Sequence, residues 1–317
     1  MPQTTARERR AASPLFSVCI PAYEDAQALS RCLESVCGQT MADIEIIVSD
    51  DSQTDAVARA VEKQNDARIR YKRNTPALGA PANWNAALHM SVGLRVTLLH
   101  QDDWYRTPEA LAEVSARMDE HNADVVISGR ALYNAGRCLG EYRLPSNAAA
   151  RFLSGFPAIS LVVNRLGHPG VFFFSGRYRD IPYDERLLYF SDTDYYYRLL
   201  KTADRVLVYP EPIVGISWQK TSRLSTICLA DPQKTLSELF LLHEKYDCTP
   251  VEQGISAAGL CVSLLRHWHR SLGLVLQTLW RGMPRAAFFA ACASMPFFSL
   301  FLVYRLAYRL VRKKGWA

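Results

Sequence analysis

Between residues 16 and 99 the chain alternates short apolar runs with helical patterns, and few folds accept that alternation. Phe16 to Ile20, Ile44 to Val48, Arg68 to Tyr71 and Val96 to Leu99 read as strands. Gln27 to Cys37 carries Leu29, Leu33 and Val36 at helical spacing. A second helix begins near Thr54 or Asp55, and a third covers Asn83 to Met90. Strands separated by helices predict an α/β fold, with a parallel sheet covered on both faces. Such sheets bind ligands outside the carboxyl ends of their strands. Here those ends are acidic: Ser49-Asp50-Asp51-Ser52 closes the second strand, and His100-Gln101-Asp102-Asp103-Trp104 follows the fourth. Paired carboxylates there suit Mn²⁺ or Mg²⁺ with a bound phosphate. Acids also gather at helix starts, and Thr107-Pro108-Glu109 opens a helix close by.

Composition narrows the function. The 317 residues are 49% hydrophobic and 21% charged, which is globular. The net charge of +6 is concentrated at the ends, in Arg7, Arg9 and Arg10 and in Arg305, Arg309, Arg312, Lys313 and Lys314. The middle is nearly balanced, so no nucleic-acid partner is expected. Eight cysteines without a Cys-x-x-Cys pair argue for reduced thiols rather than zinc. The start lacks the apolar core of a signal peptide, so no signal peptide is expected. Neither Gly-x-Gly-x-x-Gly after the first strands nor Gly-Lys-Ser/Thr occurs, which disfavours a dinucleotide fold and a P-loop enzyme. A phosphate not held by a glycine loop needs a cation, and the paired acids offer a place for one.

Four segments at successive strand ends carry a family resemblance: Ser17-Val18-Cys19-Ile20-Pro21-Ala22-Tyr23-Glu24, Val48 to Asp55, Asn74 to Asn85, and His100 to Trp104. In order and spacing they resemble the inverting family 2 glycosyltransferases of GT-A fold. The resemblance implies a nucleotide-diphosphate sugar donor. It places Pro21, Ala22, Tyr23, Glu24, Asp50, Asp51, Arg73, Gln101 and Asp102 at that donor. The implied metal ligands are Asp102 and Asp103, with His100 behind them because it replaces the first acid of the family's Asp-x-Asp. A fifth segment, Tyr183 to Leu199, resembles the one holding the catalytic base, and Asp192 precedes Arg198 by the family's six residues. Ser191 replaces the usual Glu there, Asp192 takes the base role, and Asp194 is the fallback. Asp192 or Ser191 would equally serve as a helix N-cap. His168, Asp194, Arg198, Lys220 and Arg223 are expected at the acceptor or the diphosphate. Val206 to Tyr209 and Val214 to Ser217 read as closing strands.

The expected organisation is a flexible arm over 1–14, a GT-A domain over 15–225 and a helical region over 226–317. Ala286 to Tyr304 is uncharged for 19 residues, roughly 28 Å as a helix. Pro296 would kink it, and Arg305, Arg309 and Arg312 then share one face. An interfacial helix on the cytoplasmic face of a membrane is expected in preference to a true span. The acceptor is then a glycan or lipid-linked glycan in surface polysaccharide synthesis. An inactive nucleotide-sugar-binding protein on the same fold, or a nucleotidyltransferase, are the alternatives.

Overall fold

The computed structural model describes residues 13–154, 160–161, 164–218, 228, 231–267, 281 and 283–294. Two compact units divide the chain out of sequence order. One comprises residues 1–152, 166–185 and 194–219, and the other residues 153–165, 186–193 and 220–317.

The first unit is built on a nine-stranded sheet in the order β3-β2-β1-β4-β8-β6-β9-β5, with β7 paired to β6. Strands β1 (Phe16–Ala22), β2 (Ile44–Asp50), β3 (Ile69–Arg73) and β4 (Arg95–Leu98) are mutually parallel. They are linked by α1 (Ala26–Cys37), α2 (Ala56–Gln64) and α3 (Ala80–His89). Every residue of β1 and β2 is buried, as strands covered on both faces require. Helix α1 buries Ala28, Leu29, Cys32, Leu33 and Val36, the stripe its sequence shows. The chain runs outward from β1 through β2 to β3, then crosses to the other side of β1 for β4. The loops after β1 and β4 therefore flank the switch point where open α/β sheets hold ligands.

The second half of the sheet is mixed. Short β5 (Asp103–Tyr105) runs antiparallel to β9 (Val206–Ser217), and β8 (Phe172–Ser175) lies antiparallel between β4 and β6 (Val125–Asn134). Helix α4 (Ala110–Glu120) precedes β6. The β6–β7 (Arg137–Tyr142) hairpin has no counterpart among the strands expected from sequence. Its turn uses Ala135 (φ 47°) and Gly136 (φ 79°) instead of the Asn-Gly or Asp-Gly that advertises such a turn. The two expected closing strands are one strand of 12 residues, β9. Pro210 and Pro212 break the ladder without ending it, and the register against β6 shifts at Ser128/Arg130. Gly129 permits the close approach: a Cβ there would stand 2.3 Å from the Pro210 carbonyl oxygen.

The second unit is helical. After the short α5 (Ala148–Ser154) and α6 (Ser191–Thr202), both of which straddle the division, come α7 (Pro232–Lys245) and α8 (Pro250–His267). Residues 285–294 form a further helix. Buried His243 on α7 bonds Ser256 on α8 at 2.6 Å, and burial lowers the His243 pKa to about 4, keeping the ring neutral. Gly254 lets α8 meet the following helix closely, since a Cβ would stand 2.4 Å from that of Ala290. No helix among the described residues is long and apolar enough to cross a membrane. Residues 295–317, with most of the expected interfacial segment and its basic end, lie outside the described residues, as do residues 1–12 of the expected arm.

Candidate active site

The loops leaving β1, β2 and β4 are clipped to one another at the switch point. Tyr23 donates its amide N–H to Gln101 Oε1 (2.9 Å), and Gln101 Nε2 returns a bond to the Tyr23 carbonyl (2.8 Å). The Tyr23 ring stands exposed beside them. Glu24, at φ 54°, is held by three bonds to the β2 loop: its N–H to Ser52 Oγ, and its carboxylate from the Gln53 N–H and the Thr54 hydroxyl. These donors, the Gln53 amide first, hold the Glu24 carboxyl below its usual pKa. The left-handed backbone is thereby over-determined rather than relaxed.

Asp50 and Asp51 lie deeper. Asp50 accepts from the Ser52 N–H (2.8 Å) and the Tyr71 hydroxyl (2.7 Å), with Arg73 Nε 3.9 Å away. Asp51 accepts from Asn74 Nδ2 (2.8 Å) and from the Leu78 and Gly79 N–H groups (3.2 and 2.8 Å). Arg73 is turned onto the β2 loop, pairing with Asp55 at 2.7 Å and donating to the Ser52 and Thr54 carbonyls. These residues fix the loops at the switch point. Three asparagines with no role assigned from sequence join them. Asn83 donates to the Ala22 carbonyl at 3.2 Å, Asn74 donates to Asn83, and Asn85 brackets Tyr183 through both its N–H and its carbonyl. For Asn83 and Asn85 the signal available was their burial-incompatible polarity inside the helical stretch Pro81-Ala82-Asn83-Trp84-Asn85.

Beyond β4, the acidic pair divides. Asp102 is half-buried, while Asp103 begins β5 and is 1% exposed. His100, Asp103 and His168 bring one donor atom each within 4.8 Å of one another, and His168 Nδ1 stands 3.8 Å from Asp103 Oδ2. Asp102 is outside that group. His100 Nε2 is buried and has no hydrogen-bond partner among the described residues. Burial lowers the His100 pKa, leaving a neutral imidazole, and the ring packs on Trp84 at 5.2 Å. Two imidazoles and a carboxylate are a donor set for a first-row divalent ion such as Mn²⁺, rather than for Mg²⁺ with its preference for oxygen. The residues present therefore fit a divalent cation. The His168 loop is buttressed from α6: the Tyr196 hydroxyl donates to the Gly167 carbonyl (3.1 Å), and its ring stacks on Phe172 at 3.9 Å.

Helix α6 carries both candidate bases, and they differ. Asp194 is fully buried and takes Nε and Nη2 of Arg198 on one oxygen, at 2.9 and 2.8 Å. Asp194 and Arg198 are thus committed to each other. Asp192 is partly exposed, and its buried Oδ1 accepts no hydrogen bond from the described residues. Burial raises its pKa to about 7. Lys220 and Arg223 lie outside the described residues.

Comparison with known proteins places this arrangement. The family model Glycosyl transferase family 2 matches residues 17–183, more than half of the chain, and the chain belongs to that family. Chondroitin synthase of Escherichia coli is 30% identical over 118 residues, 36% of this chain and 16% of that protein. The chain spans between 10% and 37% of the length of the first curated relatives it matches. Among solved structures, residues 1–349 of Staphylococcus aureus TarS in complex with UDP-GlcNAc are similar at a TM-score of 0.56 and 17% identity, over 92% of each chain. A mannosyltransferase from Pyrobaculum calidifontis, in complex with GDP-Man and Mn²⁺, is similar at a TM-score of 0.50 and 13% identity, over 97% of this chain and 83% of that one. The shared fold is the GT-A glycosyltransferase fold.

Asp51 is expected to matter first for loop order. Asp51→Ala takes one acceptor from Asn74 Nδ2, which keeps Asn83, and the acceptor of the Leu78 and Gly79 amides, which water can reach, and should cost roughly 1–2 kcal/mol in chemical denaturation. The Leu78 and Gly79 amides should lose protection in hydrogen exchange. Unchanged protection of both would remove Asp51 from this role.

Proposed function

We propose that the protein transfers a sugar, with inversion, from a nucleotide-diphosphate sugar to a glycan or lipid-linked acceptor in surface polysaccharide synthesis. The observation that carries the reading is Asp192. It is a carboxylate at a helix start, with one oxygen unclaimed by the described residues and a pKa raised by burial to about 7. A general base works best with its pKa near the operating pH. In the proposed reaction Asp192 takes the proton of an acceptor hydroxyl as that oxygen bonds to the anomeric carbon. The bond from that carbon to the diphosphate breaks, and the nucleoside diphosphate departs. The nucleotide is received by the Pro21–Glu24 loop, with the exposed Tyr23 ring as its stacking surface, and by the loops that Asp50, Asp51 and Arg73 hold in place.

The cation reading is Mn²⁺ held by His100, Asp103 and His168, with half-buried Asp102 alongside for the donor. When bound, the ion neutralises charge developing on the diphosphate leaving group. The named complexes with UDP-GlcNAc and with GDP-Man and Mn²⁺ support a nucleotide-sugar donor and a divalent ion. The uncharged run to Tyr304 and the five basic residues after it support attachment to the cytoplasmic surface of a membrane. Flotation with anionic vesicles tests that attachment, and a protein that stays entirely unbound would refute it.

Two results are expected. Asp192→Asn should lower kcat about 10²-fold or more with donor affinity unchanged. The parent kcat should rise with pH through about 7 and level above it, because only the ionised carboxylate accepts a proton. The same raised pKa makes Asp192 a stability cost at high pH: its contribution is intact below the unfolded carboxylate range and lost as pH rises through about 7. Asp192→Asn should therefore melt above the parent at pH 8 and not at pH 4. A kcat profile flat from pH 5 to 9 would rule Asp192 out.

For the metal, His168→Ala should weaken Mn²⁺ binding to the free protein about tenfold or more, read by calorimetry or electron paramagnetic resonance. Asp102→Ala should spare that binding and weaken Mn²⁺-dependent nucleoside diphosphate binding. The opposite pattern would move the ion to Asp102.

A further inference from the structure

Within the second unit, one carboxylate is placed at considerable cost and has no part in the chemistry described above. Glu238 lies on α7 and is 4% exposed. A single oxygen, Oε2, accepts from three consecutive main-chain N–H groups: Leu188 at 2.9 Å, Tyr189 at 2.8 Å and Phe190 at 3.3 Å. Burying a carboxylate is expensive unless it is compensated by strong hydrogen bonds, and bonds to an ionised acceptor are about twice as strong as neutral ones.

The residues that receive this effort are the three immediately before α6. Two of their carbonyls are tied as well. The Ser191 hydroxyl donates to the Leu188 carbonyl at 3.0 Å, and the Thr193 hydroxyl to the Phe190 carbonyl at 3.1 Å. Ser191 and Thr193 are buried and spent on the backbone, while Asp192 stands between them with Oδ1 unclaimed among the described residues. The backbone on each side of Asp192 is fixed, and its carboxylate is left for other work.

We propose that Glu238 is a positioning residue for glycosyl transfer: its carboxylate clamps the Leu188–Phe190 backbone and so sets where α6 begins and where Asp192 points. The proposal rests on Asp192 as the base. It assigns the helical region after the sheet a part in the reaction, since the clamp lies 46 residues beyond the base. Conformational freedom of a base costs rate because reaction needs a narrow range of approach geometries.

The test uses the full chain with Glu238→Ala, Glu238→Asp and Glu238→Gln. Glu238→Asp keeps the charge but withdraws the oxygen by one methylene. Glu238→Gln keeps an oxygen acceptor in place. Alanine and aspartate should each lower kcat about tenfold or more at unchanged donor affinity. Both should loosen the start of α6, change the surroundings of the Asp192 carboxylate and so move the acid limb of the kcat profile from its parent midpoint. Glutamine should restore most of the loss. If the alanine variant fails to fold, aspartate and glutamine decide the matter. Hydrogen exchange at the Leu188, Tyr189 and Phe190 amides gives a reading independent of turnover, and protection should fall in the aspartate variant. Parent kcat and an unmoved acid limb in folded variants overturn the proposal, as do amides that stay protected or a loss of kcat matched by a loss of donor affinity. Near-normal turnover in Asp192→Asn overturns the base reading, and the positioning role with it, whatever the amides show.

Discussion

The reciprocal pair between Tyr23 and Gln101 carries more of this structure than its two bonds suggest. It joins the ends of two neighbouring parallel strands at the point where strand order reverses. The Glu24 bonds to Gln53 and Thr54 add the third strand end, and Asp51 adds the 78–79 loop. Parallel strands deliver their loops to one edge of a sheet, but nothing in the ladder itself orders those loops. Here polar side chains do so, mostly by accepting main-chain N–H groups. The crevice is therefore a preorganised frame built on backbone bonds, and its exposed ring, Tyr23, projects from a fixed base.

The same economy separates carboxylates of like sequence. Asp192 and Asp194 are two residues apart on one helix and meet opposite fates. Asp194 is neutralised by Arg198 at i+4, a pairing that helix geometry offers at once. Asp192 has neither cation nor donor among the described residues, so burial acts on it unopposed and raises its proton affinity. Asp102 and Asp103 divide in a similar way, one near the surface and the other enclosed with two histidines. Adjacent acids in a sequence become different chemical groups once the fold assigns their neighbours.

The first half of the sheet was legible because its strands are short apolar runs and its helices show their period, and because its loops ended in recognisable acids. The second half was legible only in part. The β6–β7 hairpin turns on Ala-Gly and was not expected, and β9, expected as two strands, runs on through two prolines. Candidate residues were legible at the strand ends and on α6. What stayed hidden were groups defined by long-range partners: His168 beside Asp103, Asn85 around Tyr183, and Glu238 under the Leu188–Phe190 backbone. No local pattern marks a residue whose partners lie that far along the chain.

The order of the chain against the two compact units has a consequence for heredity and for engineering. The family match ends at residue 183, before Asp192 and well before Glu238. Residues 186–193 group with the residues from position 220 onward, across the strand β9 that belongs to the sheet. A cut between sheet and helices therefore cannot be drawn as one break in the chain without parting Asp192 from Glu238. Exchange of the leading half between relatives would import new loops around Tyr23 and Gln101 while leaving Asp192, Ser191, Thr193 and Glu238 together on one inherited segment. On the roles proposed for these residues, donor preference and proton abstraction would pass on separately.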